Sequence, residues 1–256
     1  MPTRTPSRVD GLFSEALKAR TRTSYWRRVG ELQRIGTREV FEAAAHELTS
    51  RAAARRALGA DVLGELGYLS STPPFKTESV PLLLNLLSPK SDPSVKASAI
   101  TALGRLHVRE AIPALVSVAR DESDEVRLQL AREVVGCTWD SGEERPDATV
   151  TATLIRLSSD RVAAVRDWAC FTLANSDADT PEIRGALWRR VKDRHYDTRI
   201  EALRGLARRR DDEVHEPLRR AVQAIGPSRL GSWVVDDLVD FALAVGDQTL
   251  VDVLAS

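Results

Sequence analysis

Four histidines, two cysteines and a few carboxylate pairs are the side chains of this 256-residue chain that could carry metal, nucleophilic or acid-base chemistry. Their spacing does not gather them. His46, His107, His195 and His215 stand far apart, with no HExxH motif and no carboxylate at ligand spacing, so no helix face is built to hold a metal. Cys137 and Cys170 match no zinc or redox pattern. A nucleophilic triad needs Ser or Cys, a base and an orienting carboxylate at one point, and no GxSxG elbow is present. The glycines fall at helix ends rather than in loops that cradle phosphate. Asp211-Asp212 and Asp236-Asp237 are adjacent and so point about 100° apart on a helix, as helix N-terminal or solvated charge does. The expectation is a chain with no catalytic constellation, no metal and no cofactor.

The elements that carry these residues read as helical. Hydrophobic residues make up 43% of the chain and aromatics 5%, with Ala, Leu, Val and Arg plentiful, a mix that packs as helix through small contacts. Thirty-seven basic side chains balance 37 acidic ones, so no global charge draws the chain to nucleic acid or an anionic membrane. The charge is nevertheless sorted. Residues 1–56 carry 12 basic and 6 acidic groups, residues 121–180 carry 6 and 13, and residues 181–220 carry 12 and 8. The N-terminus shows no apolar stretch of signal-peptide length, and no run long enough to span a membrane occurs. Two cysteines are too few for a disulfide-stapled secreted domain, so a reducing cytoplasm is the expected location.

Internal repetition sets the fold. Aligning Val95, Val126, Val165 and Thr198 superposes four blocks, each with apolar or small residues at the anchor, at +4 and at +8. These are Val95/Ala99/Leu103, Val126/Leu130/Val134, Val165/Ala169/Leu173 and Thr198/Ala202/Leu206, one stripe of a 3.6-residue helix. An earlier copy takes Arg55 as anchor, with Gly59 and Leu63, and a degenerate last copy runs through 231–245. Each block follows a second amphipathic segment across a short break rich in Asp, Ser, Pro or Gly. One such hairpin cannot cover its own apolar face, so the copies must stack.

On these residues the chain resembles the HEAT-repeat family, and within it bacterial proteins with short hairpins. The pairs Val126-Arg127 and Val165-Arg166 carry the likeness, with Thr198-Arg199 and Val95-Lys96 as variants. So does an Asp six residues before the Arg, in Asp121/Arg127, Asp160/Arg166 and Asp193/Arg199. The resemblance implies an all-α fold, a right-handed α-solenoid of about six HEAT-type hairpins, in which these Asp and Arg side chains link adjacent turns as a ladder. Earlier copies depart from it, with Ser50/Arg56 and Lys90/Lys96. Residues 1–23 read as an N-terminal tail with a possible short helix at 8–20, or a basic arm, and 24–256 as one solenoid domain. The connections 69–77 and 137–149 are long. The second, with Trp139 among Asp140, Glu143 and Glu144, reads either as an acidic contact loop or as a tolerated insertion.

The positions opposite the core stripe are +3, +6 and +10, and the resemblance implies that they line the concave side. They include Leu58, Gln129, Trp168 and Glu201 at +3, Arg132, Phe171 and Arg204 at +6, and Arg105 and Arg208 at +10. Trp168 and Phe171 share one helix turn among flanking arginines, the residue types that dominate binding hot spots. Trp168 alternatively fills the groove between repeats. Trp26 and Trp188 read as packing residues, and the run Arg208-Arg209-Arg210 as a solvated face. The expected function is a non-catalytic scaffold or adaptor whose concave face holds a protein partner. The alternative is nucleic-acid binding, including alkylpurine DNA glycosylase activity of HEAT-like architecture, with Asp167, Trp168 and Arg132 in the key places.

Overall fold

The computed structural model describes residues 7–66, 74–141, 147–226 and 230–255, the side chains of 139–141 and 225 excepted, and among the described residues every regular element is helical. The helices cluster into two compact units, residues 1–142 and 143–256, where the sequence reading runs 24–256 as one domain. The loop reading built on Trp139, Asp140, Glu143 and Glu144 lies outside the described residues.

The first unit contains α1 (Arg8–Leu17), α2 (Arg22–Ile35), α3 (Arg38–Glu47), α4 (Ala53–Glu65), α5 (Lys76–Asn85), α6 (Pro93–Arg105), α7 (Ile112–Ser117) and α8 (Asp124–Glu133), with a 3-10 stretch over Val134–Ser141. The possible short helix of the N-terminal segment is α1, and it is packed. Ser7 and Asp10 close a reciprocal capping box at the start of α1, and Val9, Leu12, Phe13 and Ala16 are buried. The α1/α2 pair precedes three hairpins, α3/α4, α5/α6 and α7/α8. Their second helices, α4, α6 and α8, pack in sequence. Close approach depends on small residues: a Cβ on Gly64 would come within 2.6 Å of the Ala102 Cα.

The second unit contains α9 (Ala148–Leu157), α10 (Ala163–Asn175), α11 (Pro181–Trp188), α12 (Tyr196–Arg208), α13 (His215–Ile225), α14 (Ser232–Ala244) and α15 (Gln248–Leu254). Here α9/α10, α11/α12 and α13/α14 are the hairpins, so the expected six HEAT-type units divide three and three. Thr180 and Asp147 cap α11 and α9 by accepting backbone N–H groups with their side chains.

The core stripe lies where the periodicity puts it. Val95, Ala99, Leu103, Val126, Leu130, Val134, Val165, Ala169, Leu173, Thr198, Ala202 and Leu206 are all buried. Truncating one of these leucines to Ala costs about 2–5 kcal/mol of transfer and cavity energy. Two positions in the earliest copy are corrected. Arg55, at the core anchor, turns outward and donates to Glu47 at 2.5 and 2.6 Å, because a guanidinium cannot enter an apolar seam without a partner. Leu58, placed on the opposite face, is fully buried.

The Asp and Arg side chains of the motif are bonded both within a copy and between copies. Within a repeat the Arg donates to the backbone carbonyl of the Asp six residues earlier: Arg127 to Asp121, Arg166 to Asp160 and Arg199 to Asp193. The Asp carboxylate accepts a backbone N–H two residues on, from Ser123, Val162 and His195 respectively. The inter-repeat rung then runs from the preceding copy, from Lys96 Nζ to Asp121 at 2.7 Å and from Arg166 to Asp193 at 2.8 and 2.9 Å. These cations hold both carboxyls below the usual range although burial opposes them. Departing copies still take part, since Arg56 donates to the Ser50 carbonyl.

The run Arg208-Arg209-Arg210 is also corrected. Arg209 is buried and donates to the carbonyls of Leu173, Ser176, Ala178 and Gly205. Its guanidinium satisfies the acceptors that the end of α10 leaves open.

Candidate interaction surface

In the second unit α10, α12 and α14 present their faces opposite the stripe to one cleft of about 780 Å³. Trp168 and Phe171 form one wall, edge to face with ring centroids 5.3 Å apart. Trp233, at the start of α14, stands 57% exposed beside them. Asp167, Asn175, Asp197, Glu201, Arg204, Arg208, Asp236 and Asp237 supply the polar lining.

Arg204 is the floor of this cleft, not a ligand-seeking cation. Its side chain is 1% exposed. It pairs with Asp237 at 2.7 Å and Glu201 at 2.8 Å, donates to Asn175 at 3.2 Å and lies 5.6 Å from the Phe171 ring centre. The sequence expectation of an Arg offered to a partner is thereby corrected: a buried guanidinium must be matched by carboxylates, and here it is. Arg208 meets the other Asp237 oxygen at 2.9 Å. Burial pushes the Glu201 carboxyl up against the pull of Arg204.

The remaining carboxylates are treated differently. Asp167 Oδ1 is buried without a hydrogen-bond partner among the described residues, and burial together with the neighbouring Asp197 pushes its pKa up to about 6, with His195 opposing. Asp197 lies 3.8 Å from His195 besides neighbouring Asp167, and no ion pair reaches Asp236 among the described residues.

Arg105, Gln129 and Arg132 belong to the first unit, so the site residues divide. Arg105 pairs with Glu65 and lies 5.2 Å from the Trp26 ring centre. Gln129 donates to Thr101 at 2.6 Å and Glu133 at 3.0 Å. Beside them Tyr25 donates to Asp61 at 2.5 Å; burial raises both groups, and the hydrogen bond itself opposes the rise at Asp61. Trp188, expected in packing, is half-buried and donates to Asp211 at 3.1 Å.

Sequence reasoning missed Trp233, Asp236, Asp237 and Asp197. A signal existed. With Val234 as anchor the last copy reads Val234/Leu238/Ala242, all buried, which places Asp237 at +3 in the column of Trp168 and Glu201. The −1 position, four residues from +3 and hence on the same face, is Asp197 in α12 and Trp233 in α14.

Among the described residues no group of three or more His, Cys, Asp or Glu is arranged to hold a metal ion, and no helix is long and apolar enough to cross a membrane. Residues 80–136 match the family model of HEAT repeats. Over 108 residues the chain is 31% identical to Protein YibA of Escherichia coli K12, and equally to that of strain O157:H7, the match covering 42% of this chain. It spans about a third, 36%, of those relatives' length. The solved structure of the E. coli YibA protein superposes with a TM-score of 0.69 at 23% identity, covering 100% of this chain and 92% of that one. An engineered protein superposes at 0.51 and 14% identity, covering 82% and 99%. These structural likenesses are likenesses of fold.

Proposed function

We propose that this chain of HEAT repeats is a non-catalytic scaffold or adaptor that holds a protein partner against the second-helix face of residues 143–256. The observation that carries the reading is Trp233, 57% exposed on the side away from the core and grouped with Trp168 and Phe171 around a cleft. Aromatic surface of this size left in water is costly, and aromatic side chains gathered in a cleft are typical anchors of protein interfaces. The unmatched carboxylates beside it would repel a phosphate backbone, which speaks against the nucleic-acid alternative. Cys137 and Cys170 are free and buried, their thiols pushed up to about 12 by burial, which suits a reducing cytoplasm.

Affinity capture from the source organism with the wild-type chain and with Trp168→Ala/Trp233→Ala tests this. A protein recovered by the first and lost by the second, at unchanged helical circular dichroism, is the expected outcome. Identical recoveries would remove the cleft from the binding function.

A further inference from the structure

The charges of the cleft choose among partners. Five carboxylates line it, Asp167, Asp197, Glu201, Asp236 and Asp237, against the two guanidiniums of Arg204 and Arg208. Both guanidiniums are already committed to Glu201 and Asp237. Asp167, Asp197 and Asp236 therefore remain as a surplus of three negative charges with no Arg or Lys partner among the described residues. They stand next to aromatic faces, and those faces are the second observation. A carboxylate alone prefers water, and an indole alone prefers an apolar neighbour. Carboxylates set against indole rings, one carboxylate oxygen buried and unsatisfied, suit a group that is positively charged at its tip and apolar along its stem. Lysine and arginine side chains have that form. A neutral segment would leave the three carboxylate charges of the cleft without a counter-charge, and an acidic one would add repulsion.

We propose that the cleft of residues 143–256 receives a basic segment of the protein partner, its Lys or Arg stems lying on Trp168 and Trp233 and its cationic tips meeting Asp167, Asp197 and Asp236. This deepens the scaffold reading and rests on it. The two guanidiniums of the cleft, Arg204 buried beneath it and Arg208 at its edge, are already paired with Glu201 and Asp237.

Fluorescein-labelled octalysine titrated into the full chain at low and physiological salt is the test, with octaglutamate as control. Binding to the wild type is expected, weakened about tenfold or more in Asp167→Asn/Asp197→Asn/Asp236→Asn. In Trp233→Ala the loss is roughly 3- to 10-fold. Asp124→Asn/Glu125→Gln, exposed carboxylates of the first unit, should leave it unchanged. Octalysine that fails to bind, or that binds the triple variant as tightly as the wild type, would overturn the proposal. Spermidine binding as tightly as the peptide would overturn the assignment to a protein segment. Failure of octalysine with a partner still lost from Trp168→Ala/Trp233→Ala would sink the basic-segment inference alone. Retention of every captured protein by that double variant would instead sink the scaffold reading at this cleft.

Discussion

The second-helix faces of the two units use the same helical columns and reach opposite outcomes. In the first, polar groups meet each other: Tyr25 donates to Asp61, Arg105 pairs with Glu65 under the cover of Trp26, and Gln129 bridges Thr101 and Glu133. In the second, carboxylates outnumber the available cations, and Trp233 stands out in solvent. The repeat decides which positions face this way. Whether such a face is closed or left open depends on the pairing between successive copies, which the repeat does not specify. A face whose groups satisfy one another supports the fold. A face that leaves carboxylates unmatched and Trp233 in solvent forgoes stability that a closed face would gain.

The largest test of that contrast is at Arg204. Removing its guanidinium in Arg204→Ala leaves the buried Glu201 carboxylate without its cation and frees Asp237. A loss of about 3–5 kcal/mol is expected from denaturant unfolding, as for other broken buried pairs. The neighbouring Arg208→Ala should cost less than about 1 kcal/mol, since its pair with Asp237 lies at the surface. Equal effects would mean that Arg204 is not the floor of the cleft.

A smaller effect sharpens the other side. Tyr25→Phe removes the donor to Asp61 and leaves a buried carboxyl with less of its hydrogen bonding, at a cost of about 1–3 kcal/mol. Trp233→Ala, by contrast, should stay within about 0.5 kcal/mol because the indole is mostly in solvent. A first unit indifferent to Tyr25→Phe would show that its polar face is not closed after all.

The core was legible from sequence because burial repeats with the helical period, and Val126, Leu130 and Val134 fall into line whatever their neighbours do. The motif named the residues of the ladder but not each contact: the Asp121 carboxylate takes Lys96 of the preceding copy, and Arg127 takes a backbone carbonyl. Arg204 illustrates what period alone withholds. Its burial follows from Asn175 and Asp237, 29 and 33 residues away on the neighbouring second helices. Trp233 and Asp197 escaped notice because the face was read from +3 onward, omitting the turn before the anchor.

Asp167 gives the finest test of the idea that the open face costs stability. Its pKa rises to about 6 from the ordinary 3.8 because burial and the Asp197 charge both disfavour the ionised form, with His195 pulling the other way. The folded chain therefore holds a proton between these two pH values that the unfolded chain has already lost. Stability therefore falls as pH rises through that window, and the penalty on the native state is complete above about 6. Asp167→Asn removes the charge without changing the shape of the side chain. It should unfold at a higher temperature than the wild type at pH 7. That advantage should shrink as pH falls through 6 and disappear below 4, where both folded and unfolded carboxyls are protonated. An advantage independent of pH would show that the gain comes from packing rather than from relief of an unmatched charge. The same substitution is expected to weaken octalysine binding, so one carboxylate would lower the stability of the free chain while strengthening its hold on a cationic partner.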